Sequence, residues 1–351
     1  MKSSGAASDT TRYHNPSGAG IQQRGFLEHV RIAWKMLRKN TRDTVPNGSI
    51  PVHELNSTAI LRAPDNSIWR FGHSTMLLKL NGQLLLTDPV FSDYASPFQF
   101  LGPKRFHVPP AAISELPQID AVLISHNHYD HLDKHSVQQL RSKTDRFIVP
   151  AGLKQQLVQW GIPATAITEL QWYEETRFNG VRIVATPARH YSGRSLWDRN
   201  RSLWASYCMI SPHARVFFSG DSGYFDGFRE IGERYGPFDL TLIEAGGYNQ
   251  MWHDVHMAPA ETLQAHLDLR GKFLMPVHNS TFDLSEHVWW EPMEQLLKLA
   301  ELRGVRISFP QIGEMQDISE PSPGHAWWNS ERVHRRQSAA GTTQPSRIQN
   351  A

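Results

Sequence analysis

The sequence predicts an α/β fold in which helices pack on the outside of mixed β-sheets. Short apolar runs typical of strands alternate with helical runs through both halves of the chain, which favours layered sheets and helices over an all-β sandwich. Asn81-Gly82 and Asn179-Gly180 each lie beside strand-like runs and are typical of tight hairpin turns. Hydrophobic residues make up 40% of the 351 residues, enough to form a large core.

Each element is predicted from its apolar period and from the residues that bound it. Short apolar runs between polar residues indicate strands, and longer runs with apolar residues three or four apart indicate helices. Gly161 and Gly304 end two of the helices, and Pro259 begins another. The predicted strands are 67–71, 75–80, 83–87, 120–125, 146–149, 181–185, 203–210, 215–218, 240–244, 273–277 and 305–309, and the predicted helices are 134–141, 153–160, 227–235, 259–267 and 292–303.

Composition excludes several classes of protein. Lys and Arg number 36 and Asp and Glu number 34, so the net charge of +2 offers no strongly basic surface for nucleic acid. Cys208 is the single cysteine and cannot form an internal disulfide; its place within a strand predicts a core residue. No apolar run is long enough for a transmembrane helix, and the first residues lack the apolar segment of a signal peptide. A cytoplasmic location is predicted, with attachment to a membrane surface left open.

The chain divides into a central domain and two polar ends. Residues 1–20 and 319–351 are rich in small and polar residues and are predicted to be disordered tails. Residues 21–45 are predicted to form an amphipathic helix, and residues 46–318 to form the catalytic domain.

Four candidate metal ligands occur within six residues, directly after the predicted strand 120–125. They are His126, His128, Asp130 and His131. Neutral imidazole and carboxylate bind Zn²⁺ well, and also Fe or Mn, so residue type leaves the metal open. The alternative interpretation is a His-rich surface loop.

The same pattern recurs along the chain. His190, Asp221 and His278 each follow shortly after an apolar strand. Functional side chains commonly gather at strand ends in layered α/β proteins. A single such histidine is more often structural, but five histidines and two aspartates together suit two metal ions that share one carboxylate.

This series of ligands resembles that of the metallo-β-lactamase fold. His-x-His-x-Asp-His is followed by a His, a Gly-Asp and a last His, in the order found in that superfamily. The resemblance implies a metallo-β-lactamase-like αβ/βα sandwich of two mixed sheets with outer helices. It further implies one metal held by His126, His128 and His190, a second held by Asp130, His131 and His278, and Asp221 as the bridge.

A narrower resemblance covers roughly residues 60–315. The segments 86–92, 102–105, 116–133, 220–224 and 236–239 resemble N-acyl-phosphatidylethanolamine-hydrolysing phospholipase D, and the segment 192–204 resembles its bacterial-type relatives. Asn279-Ser280 departs from the Trp-Gly that commonly follows the last ligand in the mammalian form. The resemblance implies a dinuclear zinc phosphodiesterase acting on a phospholipid, in which a hydroxide shared by the metals attacks phosphorus.

Asp130, Asp88 and His256 are the candidate catalytic residues. Asp88 ends the predicted strand 83–87 and either forms a turn with Pro89 or accepts a hydrogen bond that orients a ligating histidine. His256 is either a loop histidine or, as the resemblance implies, a group near the substrate phosphate that stabilises charge or donates a proton.

Other functions stay open at this stage. The same metals could serve a lactonase or another ester hydrolase, since hydroxide attacks a carbonyl carbon as readily. A nuclease fits the balanced charge poorly. A non-catalytic metal-bound protein is disfavoured by the intact ligand series. The oligomeric state is open too, with a homodimer among the options.

Residues 23–40 could bring the enzyme to a lipid surface. Phe26, Leu27, Val30, Trp34 and Leu37 recur at helical spacing, and most of the charges nearby are basic. A basic amphipathic helix suits an anionic membrane surface, whereas the alternative is a helix packed on the catalytic domain.

We expect charge reversal in this helix to act on vesicles alone. The quadruple variant Arg31→Glu, Lys35→Glu, Arg38→Glu and Lys39→Glu should lower turnover on anionic vesicles, because each basic residue near such a surface contributes about 1 kcal/mol. Turnover of a short soluble phosphodiester should stay within a few-fold of the parent. Equal loss on both substrates, with a lower melting temperature, would show that the helix is structural.

Overall fold

A computed structural model describes residues 12–22, 44–195, 197–323 and 326–329. The described chain contains two seven-stranded mixed sheets. The first sheet has the order β14-β1-β2-β3-β4-β5-β6, and its central pairs β3–β4, β4–β5 and β5–β6 are parallel. Its strands are β1 Ser67–Gly72, β2 Thr75–Leu80, β3 Gln83–Thr87, β4 Ala121–Leu123, β5 Phe147–Pro150, β6 Ile167–Leu170 and β14 Met315–Asp317.

The second sheet has the order β13-β12-β11-β10-β9-β8-β7. Its strands β10 to β13 are parallel, and β7 to β10 pair antiparallel. The strands are β7 Glu175–Phe178, β8 Val181–Thr186, β9 Ser206–Ile210, β10 Arg215–Phe218, β11 Phe238–Glu244, β12 Gly271–Val277 and β13 Arg306–Ile307.

Alternating side chains build three apolar layers. In β2, Met76 and Leu78 pack towards the second sheet, whereas Leu77 faces the outer helices. Among the described residues, the layer between the sheets contains no helical residue, and the helices cover the two outer faces. On the first sheet lie α1 Ser57–Arg62, α2 Lys134–Leu140 and α3 Lys154–Gln159, and on the second α4 Gly227–Tyr235, α5 Pro259–Asp268 and α6 Glu291–Arg303.

The predicted α/β sandwich with outer helices is confirmed. Every strand and helix predicted between residues 67 and 309 is present, with ends shifted by a few residues. Asn81 and Gly82 have φ of 50° and 74°, and Asn179 and Gly180 have φ of 45° and 79°, as the predicted turns require. Cys208 is buried in the core, as predicted.

Four elements were not predicted, and each lacks a clear apolar period. The edge strand β7 reads Glu-Thr-Arg-Phe and is largely exposed, and the edge strand β14 reads Met-Gln-Asp. The helix α1 has six residues and begins with a side-chain cap from Asn56 to the backbone N–H of Ala59. β6 is short and buries only its two end residues.

The two polar ends differ from the predicted tails where the structure describes them. Residues 12–20 of the predicted disordered tail pack on the domain through backbone hydrogen bonds, and Ala19 is buried. In the predicted tail 319–351, Trp327 and Trp328 are buried, and Trp328 packs against Phe309 with ring centroids 5.0 Å apart. Composition indicated few residues to bury, but hydrogen bonds and two tryptophans are enough to order these stretches.

Most of the predicted amphipathic helix over 21–45 lies outside the described residues, and so do residues 1–11 and 330–351. Within the described ranges, no helix combines the length and the apolar character needed to cross a bilayer.

Candidate metal centre

The seven predicted ligands meet at one end of the sandwich. His126, His128, Asp130 and His131 lie in the loop after β4 of the first sheet. His190, Asp221 and His278 follow β8, β10 and β12 of the second sheet, so the site is shared by both sheets. The side chain of Asp133 holds the loop after β4 by accepting hydrogen bonds from the backbone N–H groups of His135 and Ser136.

Three histidines and one oxygen of Asp221 form the first group of donor atoms. The ligand atoms of His126, His128, His190 and Asp221 all lie within 4.8 Å of one another. The Nε2 atoms of His126 and His190 are each 3.7 Å from Oδ2 of Asp221. Nδ1 of His128 lies 2.9 Å from Nε2 of His126. This is the predicted ligand set of the first metal.

The second group lies on the other side of the same carboxylate. Oδ1 of Asp221 is 3.0 Å from Nε2 of His131 and 3.2 Å from Nε2 of His278. Oδ2 of Asp130 is 3.4 Å from Nε2 of His131 and 3.3 Å from Nε2 of His278. Asp221 therefore directs one oxygen at each group, as the predicted bridge requires.

Several of the donor atoms have no hydrogen-bond partner in the part of the chain that the structure describes. Nε2 of His131, Nε2 of His278 and Oδ1 of Asp221 are buried and make no hydrogen bond there. Buried polar atoms normally have a partner, so three unsatisfied atoms pointing at one another are explained by a shared cation. Both groups offer only imidazole and carboxylate, which fit zinc, iron or manganese. The residues present therefore fit a dinuclear site, and their roles as ligands stay a prediction.

Electrostatics follows the division between the two groups. Burial lowers the pKa of His126 and His190 well below its usual value. Burial also opposes the charged form of His131, but Asp221, Asp130 and Asp88 outweigh it and hold its pKa well above the usual value. Without metal, His131 therefore tends to hold a proton beside the carboxylates that surround it. A metal ion must displace that proton to bind.

Asp88 contacts His131 in a geometry that fits one of its two predicted roles, that of orienting a ligating histidine. Oδ2 of Asp88 lies 2.6 Å from Nδ1 of His131, and both side chains are fully buried. Ser125 donates to the same carboxylate from its backbone N–H and from its hydroxyl. Because Asp88 accepts from Nδ1–H, Nε2 of His131 is directed towards the other donor atoms of the second group.

His256 lies at the edge of the centre, beside Asp221. Its Nε2 is 4.0 Å from Oδ2 of Asp221, and its Nδ1 is 3.4 Å from Oε2 of Glu244. Donor atoms of Asp221, His256 and His278 also lie within 4.8 Å of one another. The position suits a group that acts on substrate, and metal analysis must separate that role from ligation.

Sequence reasoning missed two residues of the site. His73 lies after β1, with its Nε2 3.0 Å from Oδ2 of Asp130 and its ring centroid 4.0 Å from that of His278, at an interplanar angle of 45°. Burial lowers the pKa of His73 to about 3, so it is neutral and can donate one hydrogen bond to Asp130. Glu244 ends β11, is fully buried and accepts a hydrogen bond from the backbone N–H of Met257 as well as facing His256. His73 follows an apolar strand, which was the signal used for the predicted ligands, whereas Glu244 lies within the predicted strand 240–244.

Gly220 allows the ends of β4 and β10 to approach each other. Its φ is +55°, and a Cβ added there would lie 2.5 Å from Cβ of Ser125. A side chain at this position would displace Asp221 or the loop that begins at Ser125.

The donor groups open into a cavity of about 290 Å³. His128, Asp221 and His278 form part of its wall, together with Arg199. Apolar and aromatic residues also line it, namely Ile21, Tyr191, Trp252, Val255 and Leu284, and so do the polar residues Gln22, Asp130, Asp254 and His256.

Comparison with known proteins agrees with this arrangement. A family model described as the beta-lactamase superfamily domain matches residues 84–279, more than half of the chain. The chain belongs to this superfamily. As a member of the beta-lactamase superfamily, it is a metal-dependent hydrolase with His and Asp side chains placed to hold metal.

Relatives in the superfamily cover most of the chain. An uncharacterised protein of Mycobacterium tuberculosis is 43% identical over 304 residues, 85% of this chain and 80% of that protein. N-acyl-phosphatidylethanolamine-hydrolyzing phospholipase D 1 of Caenorhabditis elegans is 33% identical over 287 residues, 76% of this chain and 81% of that protein. A metallo hydrolase structure from Ignicoccus hospitalis covers 71% of this chain and 96% of that one, with a TM-score of 0.56 and 21% identity, which shows the shared fold.

Replacing the bridge should empty both metal positions. Asp221→Ala, measured by elemental analysis of purified protein, is expected to lower metal content at both positions and activity by several orders of magnitude. His128→Ala and His278→Ala should also lower activity steeply. Asp88→Asn should lower activity about 10–100-fold, because it perturbs the orientation of one ligand. Asp226→Ala is the matched control, since Asp226 is a nearby exposed carboxylate. Full metal occupancy and normal turnover in Asp221→Ala would contradict the assignment of the bridge.

Proposed function

We propose that the protein is a dinuclear zinc phosphodiesterase with phospholipase D-type activity. The substrate would be an N-acylated phosphatidylethanolamine, and the products an N-acylethanolamine and phosphatidic acid. One observation carries the proposal: two donor groups share Asp221 and open into a cavity that has both a cation, Arg199, and an apolar wall. The relative from Caenorhabditis elegans supports the reaction class.

The chain's own residues would bind the phosphodiester in a defined orientation. Arg199 lines the cavity, and its guanidinium lies over the ring of Tyr191 at 4.7 Å from the centroid. Such stacking holds a guanidinium in place while its N–H groups stay available for a phosphoryl oxygen. Trp252, Val255 and Leu284 offer an apolar surface for the acyl part of the lipid. When bound, the two metals would supply Lewis acidity that activates water and takes up charge on the phosphoryl oxygens.

His256 would protonate the leaving oxygen. Glu244 faces Nδ1 of His256, and this contact directs Nε2 towards Asp221 and the cavity. As water adds to phosphorus, the bond to the N-acylethanolamine oxygen breaks, and Nε2–H of His256 supplies the proton that this oxygen needs. Asp130 is held by His73 and lies at the cavity, where it would keep the second metal in place.

The enzyme would reach its lipid substrate at the surface of a membrane. Peripheral contact with a membrane through residues 23–40 would bring it to a bilayer lipid, and a cytoplasmic location is compatible with such contact. A homodimer stays an open prediction.

Product analysis tests the reaction. Purified protein stripped of metal with a chelator should lose activity and regain it with Zn²⁺; parallel additions of Fe²⁺ and Mn²⁺ identify the preferred metal. On vesicles that contain N-acylated phosphatidylethanolamine, phosphatidic acid is the expected product. A lactone or simple ester hydrolysed in preference to any phosphodiester would overturn the phosphodiesterase assignment in favour of the ester hydrolase.

The proton-donor role of His256 predicts a dependence on the leaving group. His256→Ala should keep both metals and lower turnover about 10²–10⁴-fold on a substrate with an alkyl leaving group. The loss should be much smaller on a nitrophenyl phosphodiester, because that leaving oxygen needs no proton. His253→Ala, an exposed histidine of the same loop, is the control. Loss of metal from His256→Ala would instead make His256 a ligand, and an unchanged rate would make it a loop histidine.

A further inference from the structure

Residues 12–22, which we term the N-terminal strap, lie across two loops that carry site residues, the loop between β8 and β9 and the loop between β11 and α5. The strap makes hydrogen bonds with residues 189–190, 199–200 and 254. Two of its residues, Ile21 and Gln22, line the cavity above the donor groups. The strap is therefore part of the site wall, although it is more than a hundred residues away from the nearest predicted ligand in sequence.

Asn15 pairs with the backbone of the candidate ligand His190. Nδ2 of Asn15 donates to the carbonyl oxygen of His190 at 2.8 Å, and the N–H of His190 donates to Oδ1 of Asn15 at 2.9 Å. Nδ1 of His190 lies 3.1 Å from the carbonyl oxygen of Val255. Its N–H, its C=O and one ring nitrogen are thus engaged, which leaves Nε2 directed at His128 and Asp221.

His190 needs this support because it lies outside regular structure. β8 ends at Thr186, and the isolated β-bridge between Arg189 and Gly223 stops one residue before His190, whose own N–H and C=O pair with Asn15. A side chain that accepts from the N–H and donates to the C=O of one residue replaces the two hydrogen bonds that a neighbouring strand would supply. Asn15 therefore holds the backbone from which the imidazole projects.

Further contacts join the strap to the residues on either side of the cavity. Arg189 donates to the carbonyl oxygen of Gly20 at 2.7 Å and to Oδ1 of Asp254 at 3.0 Å. The N–H of Gln22 donates to the other oxygen of Asp254 at 3.0 Å. On the opposite side, the guanidinium of Arg12 donates to the carbonyl oxygen of Arg199 at 2.9 Å.

We propose that the strap is a component of the metal centre and that Asn15 is a positioning residue for His190. Asn15 would set the affinity of the group formed by His126, His128 and His190 without a contact to the group formed by Asp130, His131 and His278. The inference rests on the dinuclear site of the proposed function.

The test is a Zn²⁺ titration of metal-free protein in competition with a chromophoric chelator. Asn15→Ala should bind one of the two ions about 10–100-fold more weakly and the other with parent affinity. Co²⁺ loaded into the same variant should show an altered absorption spectrum for one ion only. Asn15→Asp keeps the acceptor for the N–H of His190 and loses the donor to its C=O, so its affinity should be intermediate. Ser17→Ala, an exposed position on the same strap, is the matched control and should bind as the parent does.

The outcomes separate this inference from the proposed function. Parent protein that binds fewer than two Zn²⁺ ions would contradict the dinuclear site itself. Parent protein with two ions and Asn15→Ala with two ions of parent affinity would overturn the role of Asn15 alone. Equal weakening of both ions in Asn15→Ala, with a lower melting temperature of the metal-free form, would show a purely structural strap and would also overturn it.

Discussion

The site depends on one buried carboxylate that two groups of histidines share. Asp221 has one oxygen near His126 and His190 and the other near His131 and His278. Burial alone would raise the pKa of this carboxyl, but the neighbouring His131 and His278 hold it well below its usual value. A negative charge kept in a buried position requires compensation, and the surrounding imidazoles or bound cations provide it.

Three residues outside the ligand set contact the candidate ligands and hold them in place. Asp88 fixes His131, His73 contacts Asp130, and Asn15 holds the backbone of His190. None of these three lies in the loop after β4, although two of them act on it. The arrangement explains why residues far apart in sequence are needed for one cation site, since each ligand needs a partner that sets its direction.

Much of the site could be predicted because strand ends carry it. A buried apolar strand followed by His or Asp is a strong local signal, and it located all seven predicted ligands at one place. His73 gives the same signal after β1, but it occurs alone in sequence and resembles an ordinary turn residue; its φ of 52° confirms the turn. Glu244 was included in a strand, and its burial could not be anticipated because an isolated carboxylate is usually exposed.

The unpredicted parts of the fold have a different cause. Asn15 lies in a polar stretch that composition assigns to a disordered tail, and its order comes from hydrogen bonds to distant backbone groups, which leave no period in the sequence. The edge strands β7 and β14 bury one face or less, so they lack the alternation that identifies central strands.

The order of the strands along the chain also sets when each candidate ligand becomes available during synthesis. The histidine cluster after β4 leaves the ribosome early, but His278 emerges only after β12, and β14 then returns to pair with β1 at the edge of the first sheet. A nascent chain therefore carries an incomplete set of donor atoms while the residues between His131 and His278 are synthesised. The full complement of donors exists only once the two sheets have come together, which ties metal acquisition to the last stage of folding.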